Sequence, residues 1–251
     1  MIGVVRKIVV FFIVFVLANE NYVNAQPMVP RFEIGAGVGS TIYQGDLTPN
    51  PLGSYKTMKA GFQVHGSLIL SPSFIARTNL TIGGLRGDDA AYDKPEFRRQ
   101  RNFNFKSPVI ELSELVVWNP FKTNYTNEGF SPYLMAGVGI SFLSIKSDAS
   151  NFNPDYFAEG PTILLNIAED QEHGTPNVVP VVPLGAGVRY GFSPSFAVYA
   201  ESAYRLMFTD YLDGFSKSTN PDQNDHYQTI SLGIIYRPGS KGKLGCPGVS
   251  Y

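Results

Sequence analysis

Three glycines at alternate positions, Gly35, Gly37 and Gly39 in GAGVGSTIYQGDL, have a spacing that could support chemistry, because glycine-rich turns hold nucleotide phosphates. Such a site needs a hydrophobic strand before the glycines and the N-terminus of a helix after them. The residues after Gly39 lead instead to Thr-Pro-Asn-Pro. Similar segments recur at 135–142 and 185–192, and their alternation of apolar with glycine or polar residues is typical of strands. We therefore expect no phosphate site here.

The histidines offer a second candidate chemistry. The sequence contains His65, His173 and His226, and none stands in a spacing typical of a metal site. His226 could be combined with Asp225 and Asp210 in a hydrolytic arrangement, but no nucleophile completes it. We therefore predict that the protein is not an enzyme and has no catalytic residue, no cofactor and no metal.

A third candidate is the charged segment RGDDAAYDKPEFRRQR, residues 86–101. Its carboxylates could bind calcium, and its arginines could bind the phosphates of lipopolysaccharide. The spacing is not that of an EF-hand. We favour the simpler interpretation of a solvated charged loop.

The composition restricts the class of protein. Charged residues make up 16% of the 251 residues, against about 25% in soluble domains, while aromatic residues reach 13%. The 25 glycines and 18 prolines favour many short strands and turns. The formal net charge of -1 gives no reason to expect a nucleic acid as partner.

The N-terminus has the pattern of an export signal. Arg6 and Lys7 precede the apolar run 8–18, and the small-residue sequence Val-Asn-Ala ends at Ala25. The run is shorter than the ~20 residues that span a bilayer. We predict that residues 1–25 are a cleaved signal peptide. The single cysteine, Cys246, allows neither an intramolecular disulfide nor an N-terminal lipid anchor.

The exported part alternates apolar and small or polar residues over long runs. In one of them Leu134, Ala136 and Val138 alternate with Gly137 and Gly139. Runs of about ten residues suit tilted strands that cross a membrane, with the apolar face on lipid and the other on the lumen. We therefore predict an all-β fold, an eight-stranded antiparallel transmembrane β-barrel of the outer-membrane type. The predicted strands begin near Arg31, Thr57, Phe74, Lys106, Phe130, Val178, Phe196 and Asp225.

The links between these strands alternate in length, as they do in outer-membrane barrels. Short or intermediate links at 71–73, 119–129 and 191–195 alternate with long links at 44–56, 86–105, 144–177 and 210–224. Short links are expected on the periplasmic side, together with both chain ends. We predict a barrel over 26–237 and a periplasmic tail over 238–251. The fourth strand would carry Glu114 on its lipid face, so we expect a bulge or a shifted register there.

Several charged residues fall on the predicted lumen face. They are Arg77, Arg189, Glu201 and Arg205, with Lys59 and Glu111 as further candidates. An eight-stranded barrel encloses little more than its own side chains, so these charges must pair inside it. We interpret them as a structural network, with a proton or substrate path as the alternative. The inward glycines would make room for these long side chains.

Four segments resemble the PorG-like outer-membrane β-barrel family, which is associated with type IX secretion. They are IYQGDL ending the first strand, LTIGGLRGDD leaving the third, RRQRNFNFKSPVIELS entering the fourth and ISLGIIYRP in the last. The positions we match are Tyr43, Gly45, Asp46, Arg98, Arg101, Asn102, Phe105, Ser107, Pro108, Glu111 and Leu112. The resemblance covers residues 31–247.

The resemblance implies an accessory of the secretion and gliding machinery that docks a periplasmic ring containing a lipoprotein. Outer-membrane lipid and lipopolysaccharide would be its other partners. The alternative is a structural or adhesive surface barrel that acts through its long extracellular loops. The loop 144–177 contains Phe152, Tyr156, Phe157 and the apolar segment TILLNI, residues 162–167, which could bind a partner or simply pack over the barrel mouth.

Overall fold

The computed structural model describes residues 32–50, 53–126, 128–221 and 223–238. The predicted signal peptide, residues 1–25, and the predicted tail after Pro238 lie outside the described residues.

Eight long strands and one short strand make a single closed sheet. They are β1 Phe32–Gln44, β2 Lys59–Ile69, β3 Phe74–Asp88, β4 Asn104–Trp118, β5 Gly129–Leu143, the short β6 Lys146–Asp148, β7 Val178–Gly191, β8 Phe196–Met207 and β9 His226–Tyr236. Each long strand pairs antiparallel with two others, and β9 pairs with β1, so the ladder closes. The predicted eight-stranded antiparallel barrel is confirmed, with every long strand beginning within two residues of its predicted start.

Side chains alternate between the two faces of the wall, as the two-residue period of a strand requires. In β1, Ile34 and Val38 are exposed on the outside, whereas Glu33 is buried in the lumen. The outward residues of the other strands form an apolar belt that includes Phe62, Leu80, Ile110, Leu112, Ile140, Leu184, Val198 and Leu232. None of the described helices is long and apolar enough to cross a membrane.

Inward glycines leave space for large side chains of the neighbouring strand. A Cβ atom on Gly35 would overlap the His65 imidazole, and one on Gly187 would lie 2.5 Å from the Tyr133 hydroxyl oxygen. The segment that resembled a phosphate loop is therefore the inner face of β1.

The prediction of a bulge or a shifted register in β4 is wrong. The register of β4 with β3 runs without interruption from Asn104 to Trp118, and that with β5 runs from Val109 to Trp118. Glu114 consequently points outward and is exposed, and the Thr78 hydroxyl on β3 donates to its carboxylate at 2.8 Å. A carboxylate on the outer face does not itself interrupt the pairing of a strand with its neighbours, because the ladder is made by backbone groups.

The links differ strongly between the two ends of the barrel. At one end β2–β3, β4–β5 and β7–β8 are joined by the links 70–73, 119–128 and 192–195. At the other end four longer links, 45–58, 89–103, 144–177 and 208–225, form a layer that we call the cap. The cap contains two helices, α1 Phe97–Arg101 and α2 Gly160–His173. The apolar segment 162–167 therefore lies in a helix, which the sequence reasoning did not predict.

An apolar cluster joins the cap to the barrel mouth. Phe103 and Phe215 stack with ring centroids 4.4 Å apart, and Tyr43 meets Phe105 edge to face at 4.7 Å. Further buried members are Leu47, Leu85, Val109, Leu143, Ile167, Val179, Val181, Met207, Leu212 and Tyr227. This cluster closes the barrel at the cap end.

Candidate functional site in the lumen and the cap

The lumen contains three layers of buried charge. The first layer lies at the end opposite the cap, where Glu33 on β1 accepts hydrogen bonds from Arg189 at 3.2 and 3.3 Å and from Arg237 at 2.8 Å. Arg189 also donates to Asn124 in the link 119–128 at 2.8 Å. This layer fills the barrel at the end where β1 begins and β9 ends.

The second layer lies in the middle of the barrel and is centred on Glu201. Its carboxylate accepts from Arg77 at 2.9 Å, from the Tyr133 hydroxyl at 2.7 Å and from the Gln63 amide at 2.7 Å. His65 lies nearby with its ring edge toward Tyr199, at 5.3 Å between centroids. Three donors on one carboxylate compensate for the water that it loses on burial.

The third layer lies below the cap and pairs Glu111 on β4 with Arg205 on β8 at 3.1 Å. Ser113 donates to the same carboxylate at 3.1 Å, and the Tyr227 hydroxyl contacts it as well. Arg205 also donates to the carbonyl of Ala203 at 2.8 Å. The structure thus places each of the four predicted network residues, Arg77, Arg189, Glu201 and Arg205, in a buried ion pair of the lumen.

Two charged members of these layers, Glu33 and Arg237, were missed by the sequence reasoning. Glu33 stands two residues before Gly35, and Arg237 follows Tyr236, so strand alternation alone would have placed both side chains inward. Lys59 has inward parity but is exposed at the end of β2. A charged side chain at the end of a strand stays exposed when the barrel wall does not extend far enough to cover it.

Tyr43 joins the barrel to the cap through two aspartates. Its hydroxyl oxygen lies 2.8 Å from the Asp213 carboxylate and 2.6 Å from the Asp225 carboxylate. A hydroxyl donates one hydrogen, so a second proton is needed to make both contacts. Burial and mutual repulsion raise the pKa of Asp225, and burial likewise raises the pKa of Asp213. Gly45 is required beside them, because a Cβ atom there would overlap the Asp225 carboxylate.

A second joint is made by α1. The buried carboxylate of Asp89 accepts from Arg98 at 2.8 Å and from Arg101 at 2.6 and 3.0 Å. Both arginines also donate to the carbonyl of Asp46, at 3.0 and 2.9 Å. Asn102 ends α1 in the left-handed conformation at φ 53°. The segment 86–101 is therefore not simply a solvated charged loop, because its central charges are buried and paired.

A third joint ties α2 to the link 208–225. Asp170 is buried and accepts from the backbone nitrogens of Lys217 and Ser218, both at 3.0 Å, and from the Ser218 hydroxyl at 2.6 Å. His173 at the end of the same helix stacks on Tyr211 at 4.1 Å. These contacts hold the links 144–177 and 208–225 together.

The remaining matched positions lie along the upper part of β4. Ser107 accepts from the backbone nitrogen of Ser144 at 3.1 Å, which fixes the start of the link 144–177. Pro108 lies opposite Gly84 on β3, and Glu111 belongs to the third lumen layer. The motif residues therefore lie where the cap meets the barrel.

His226 and Asp225, two residues of the hydrolytic alternative, have different hydrogen-bond partners. His226 accepts a hydrogen bond from the backbone nitrogen of Met207 at 3.3 Å, whereas the Asp225 carboxylate is bound to Tyr43. Among the residues that the structure describes, no group of three His, Cys, Asp or Glu side chains is placed to hold a metal ion.

Fold and site together define a closed, eight-stranded barrel of the outer-membrane type with a filled lumen and an ordered cap. The chain belongs to the family described as DUF6089, a domain of unknown function, which matches residues 7–237. No curated protein matches the chain.

Several solved structures are similar in outline. Neisserial surface protein A is 14% identical, with 82% of this chain and 96% of that chain covered and a TM-score of 0.46. A major outer membrane protein from Thermus thermophilus is 13% identical, covering 82% and 98%, with a TM-score of 0.45. Ail, the attachment invasion locus protein of Yersinia pestis, is 12% identical, covering 83% and 99%, with a TM-score of 0.42. The fold assignment itself rests on the closed ladder of strands.

Proposed function

We propose that this protein is a non-enzymatic, integral outer-membrane barrel that serves as an accessory of type IX protein secretion and gliding, docking a periplasmic ring complex. The observation that carries the proposal is the filled lumen. Three layers of buried ion pairs occupy the described part of the lumen and the apolar cluster covers its mouth, so we expect the barrel to act through its surfaces.

The apolar belt supports a location in the outer membrane, with the cap outside the cell and the short links in the periplasm. Arg86 and Lys106 face each other across β3 and β4 on the outer wall, next to the row of Gly84 and Pro108. At that height they meet the phosphates of lipopolysaccharide, which cationic side chains bind well. This cationic pair supports lipopolysaccharide as a partner.

The resemblance to the PorG-like family supports the role in secretion. The matched residues Tyr43, Gly45, Asp46, Arg101 and Asn102 lie where the cap is held on the barrel. Their position suits a rigid membrane anchor whose partner binds at a surface other than the cap. The first β-strand begins and the last ends at the short-link end, so a tail over 238–251 would be available to a periplasmic ring.

The test is affinity purification of the tagged protein after native extraction from membranes, followed by mass spectrometry. We expect a periplasmic lipoprotein ring to copurify with the full chain and to be lost when residues 239–251 are removed. A variant with Leu165→Ser on the cap is the matched control and should retain the ring. Recovery of the full-length barrel alone, in folded form, would contradict the proposal.

A second candidate function is that of an adhesive or structural surface barrel. It is favoured by the cap helix α2, which exposes Leu164 and Leu165, with Tyr156 also exposed in the same link. Removing the gene would then abolish attachment and leave protein export intact. Cutting out residues 160–173 alone should reproduce the attachment defect. Loss of export in the gene deletion would favour the secretion role instead.

A further inference from the structure

Glu114 is a carboxylate on the membrane-facing wall of the barrel. Its neighbours along the outer face of β4 are Leu112 and Val116, both about half exposed, and its own side chain is exposed as well. The Thr78 hydroxyl donates to one of its oxygens at 2.8 Å. Of the residues that the structure describes, Thr78 alone donates to this carboxylate, so one of its oxygens keeps free acceptor sites.

The position of Glu114 along β4 places it within the hydrocarbon. It lies four residues from Trp118, which ends the strand at the short-link end. A rise of about 3.3 Å per residue at a tilt of about 40° puts it roughly 10 Å inside the level of Trp118. The apolar band of such barrels is about 25 Å tall, so lipid headgroups do not reach it. An ionisable residue at this depth is costly unless a partner satisfies it.

The residues around Glu114 on the outer wall have small side chains. In the row of Glu114, the neighbours on β3 and β5 are Thr78 and Val138, and the next row toward Trp118 consists of Ala76, Val116 and Ala136. Larger residues border these two rows on both sides. Toward the short-link end they are Phe74, Trp118 and Leu134, and toward the cap they are Leu80, Leu112 and Ile140. We call the inner rows, Ala76, Thr78, Glu114, Val116, Ala136 and Val138, the flat patch. Small side chains allow another surface to approach closely.

We propose that the flat patch is an intramembrane docking surface for a second membrane-embedded protein, one that presents a lysine or arginine on its lipid-facing side. A cation there would pair with the free acceptor sites of Glu114, and low dielectric would strengthen the pair. A second copy of this chain does not fit. Among the described residues, the exposed lysine and arginine side chains of the long strands are Lys59, Arg86 and Lys106, and all three lie at the cap end. A symmetric contact would therefore bring two carboxylates together.

The inference is independent of the periplasmic ring, because it concerns the side of the barrel and not its short-link end. Loss of the ring on truncating the tail would leave the lateral contact unchanged. The two proposals therefore fail or stand separately.

Photo-cross-linking in living cells tests the proposal. A photoreactive amino acid replaces Ala136 in the flat patch or, as a matched control, Ala36, an outward alanine on β1 across the barrel. We expect one discrete protein product from position 136 and none from 36. Glu114→Leu should lower the yield at least fivefold while the barrel still folds, as judged by its resistance to detergent without heating.

Charge exchange then identifies the contact. Mass spectrometry of the product locates the linked peptide, and its lysine or arginine is replaced by glutamate in combination with Glu114→Lys. Recovery of the product in this double variant, but in neither single variant, supports the proposal. Products with lipid alone, a product of twice the barrel mass or a yield unchanged by Glu114→Leu would overturn it.

Discussion

The guanidinium of Arg77 donates to the carboxylate of Glu201 at 2.9 Å in the middle of the lumen, although 124 residues separate them in the chain. Arg77 lies on β3 and Glu201 on β8, which are four strands apart in either direction around the eight-stranded ring. The pair therefore connects opposite walls. It stabilises the barrel in its closed form and at the same time obstructs its axis.

Breaking this pair from one side should strongly destabilise the barrel. Arg77→Met leaves Glu201 buried without its cation, and we expect a loss of about 3–5 kcal/mol in the free energy of unfolding. The double variant Arg77→Met, Glu201→Leu should lose less, because no charge is left unpaired. Urea unfolding of the barrel refolded into lipid vesicles measures both. Lys217→Met, which removes an exposed partner of Glu169, is the control and should change little. Equal losses in the single and double variants would contradict this account.

The joint at Asp89 should control the order of the cap without controlling the barrel. Asp89→Asn removes the charge that holds Arg98 and Arg101, and we expect local opening of the segment 93–101 to become easier by about 3–5 kcal/mol. Limited proteolysis and hydrogen exchange should report rapid opening there. Asp93→Asn, which removes an exposed partner of Arg99, should leave both unchanged. If the two variants behave alike, the Asp89 joint does not hold the cap.

The cap should become less stable as the pH rises. Burial, together with the nearby charges of Asp46 and Asp170, raises the pKa of Asp210 to about 7. A carboxyl whose pKa is higher in the folded state binds more protons there than in the unfolded state, for which about 3.9 is ordinary. Its stabilising effect is therefore present at acid pH and is lost between about pH 4 and the folded value.

Proteolysis of the cap at pH 5 and pH 8 measures this effect. We expect faster cleavage within 208–225 at pH 8, and a smaller difference between the two conditions for Asp210→Asn. Asp155→Asn, at an exposed position in the cap, is the control and should retain the wild-type difference. Faster cleavage at pH 5 would show that the sign is wrong.

Inward glycines should be far less replaceable than outward ones. A Cβ atom on Gly39 would overlap the Ile230 carbonyl oxygen and lie 2.7 Å from the Ser231 Cα atom, both in the backbone of β9. We expect Gly39→Ala to cost about 1–3 kcal/mol in urea unfolding. Gly66→Ala, where the nearest atoms belong to the Phe32 ring at 3.7 Å, should be tolerated. Equal effects would mean that wall spacing does not require glycine at position 39.

The barrel could be predicted from the sequence because its strands repeat a local rule. Alternation with a period of two assigns each side chain to lipid or lumen. The lengths of the links distinguish the cap end of the barrel from the short-link end. The same parity would have revealed Glu33 and Arg237. It also placed Glu114 on the outer face. The prediction of a bulge or a shifted register there was wrong, because the strand keeps its pairing with an outward carboxylate.

Only the tertiary structure decided which charges meet. Glu201 pairs with Arg77, Arg205 with Glu111 and Arg189 with Glu33, because closure of the sheet brings distant strands to the same height. The cap depends on such contacts even more. Asp170 and Asp225 resemble solvated loop residues in the sequence, but both are buried and bonded to residues far away in the chain. Alternation is a property of neighbouring residues, whereas burial and pairing in the loops depend on long-range packing, which no local pattern records.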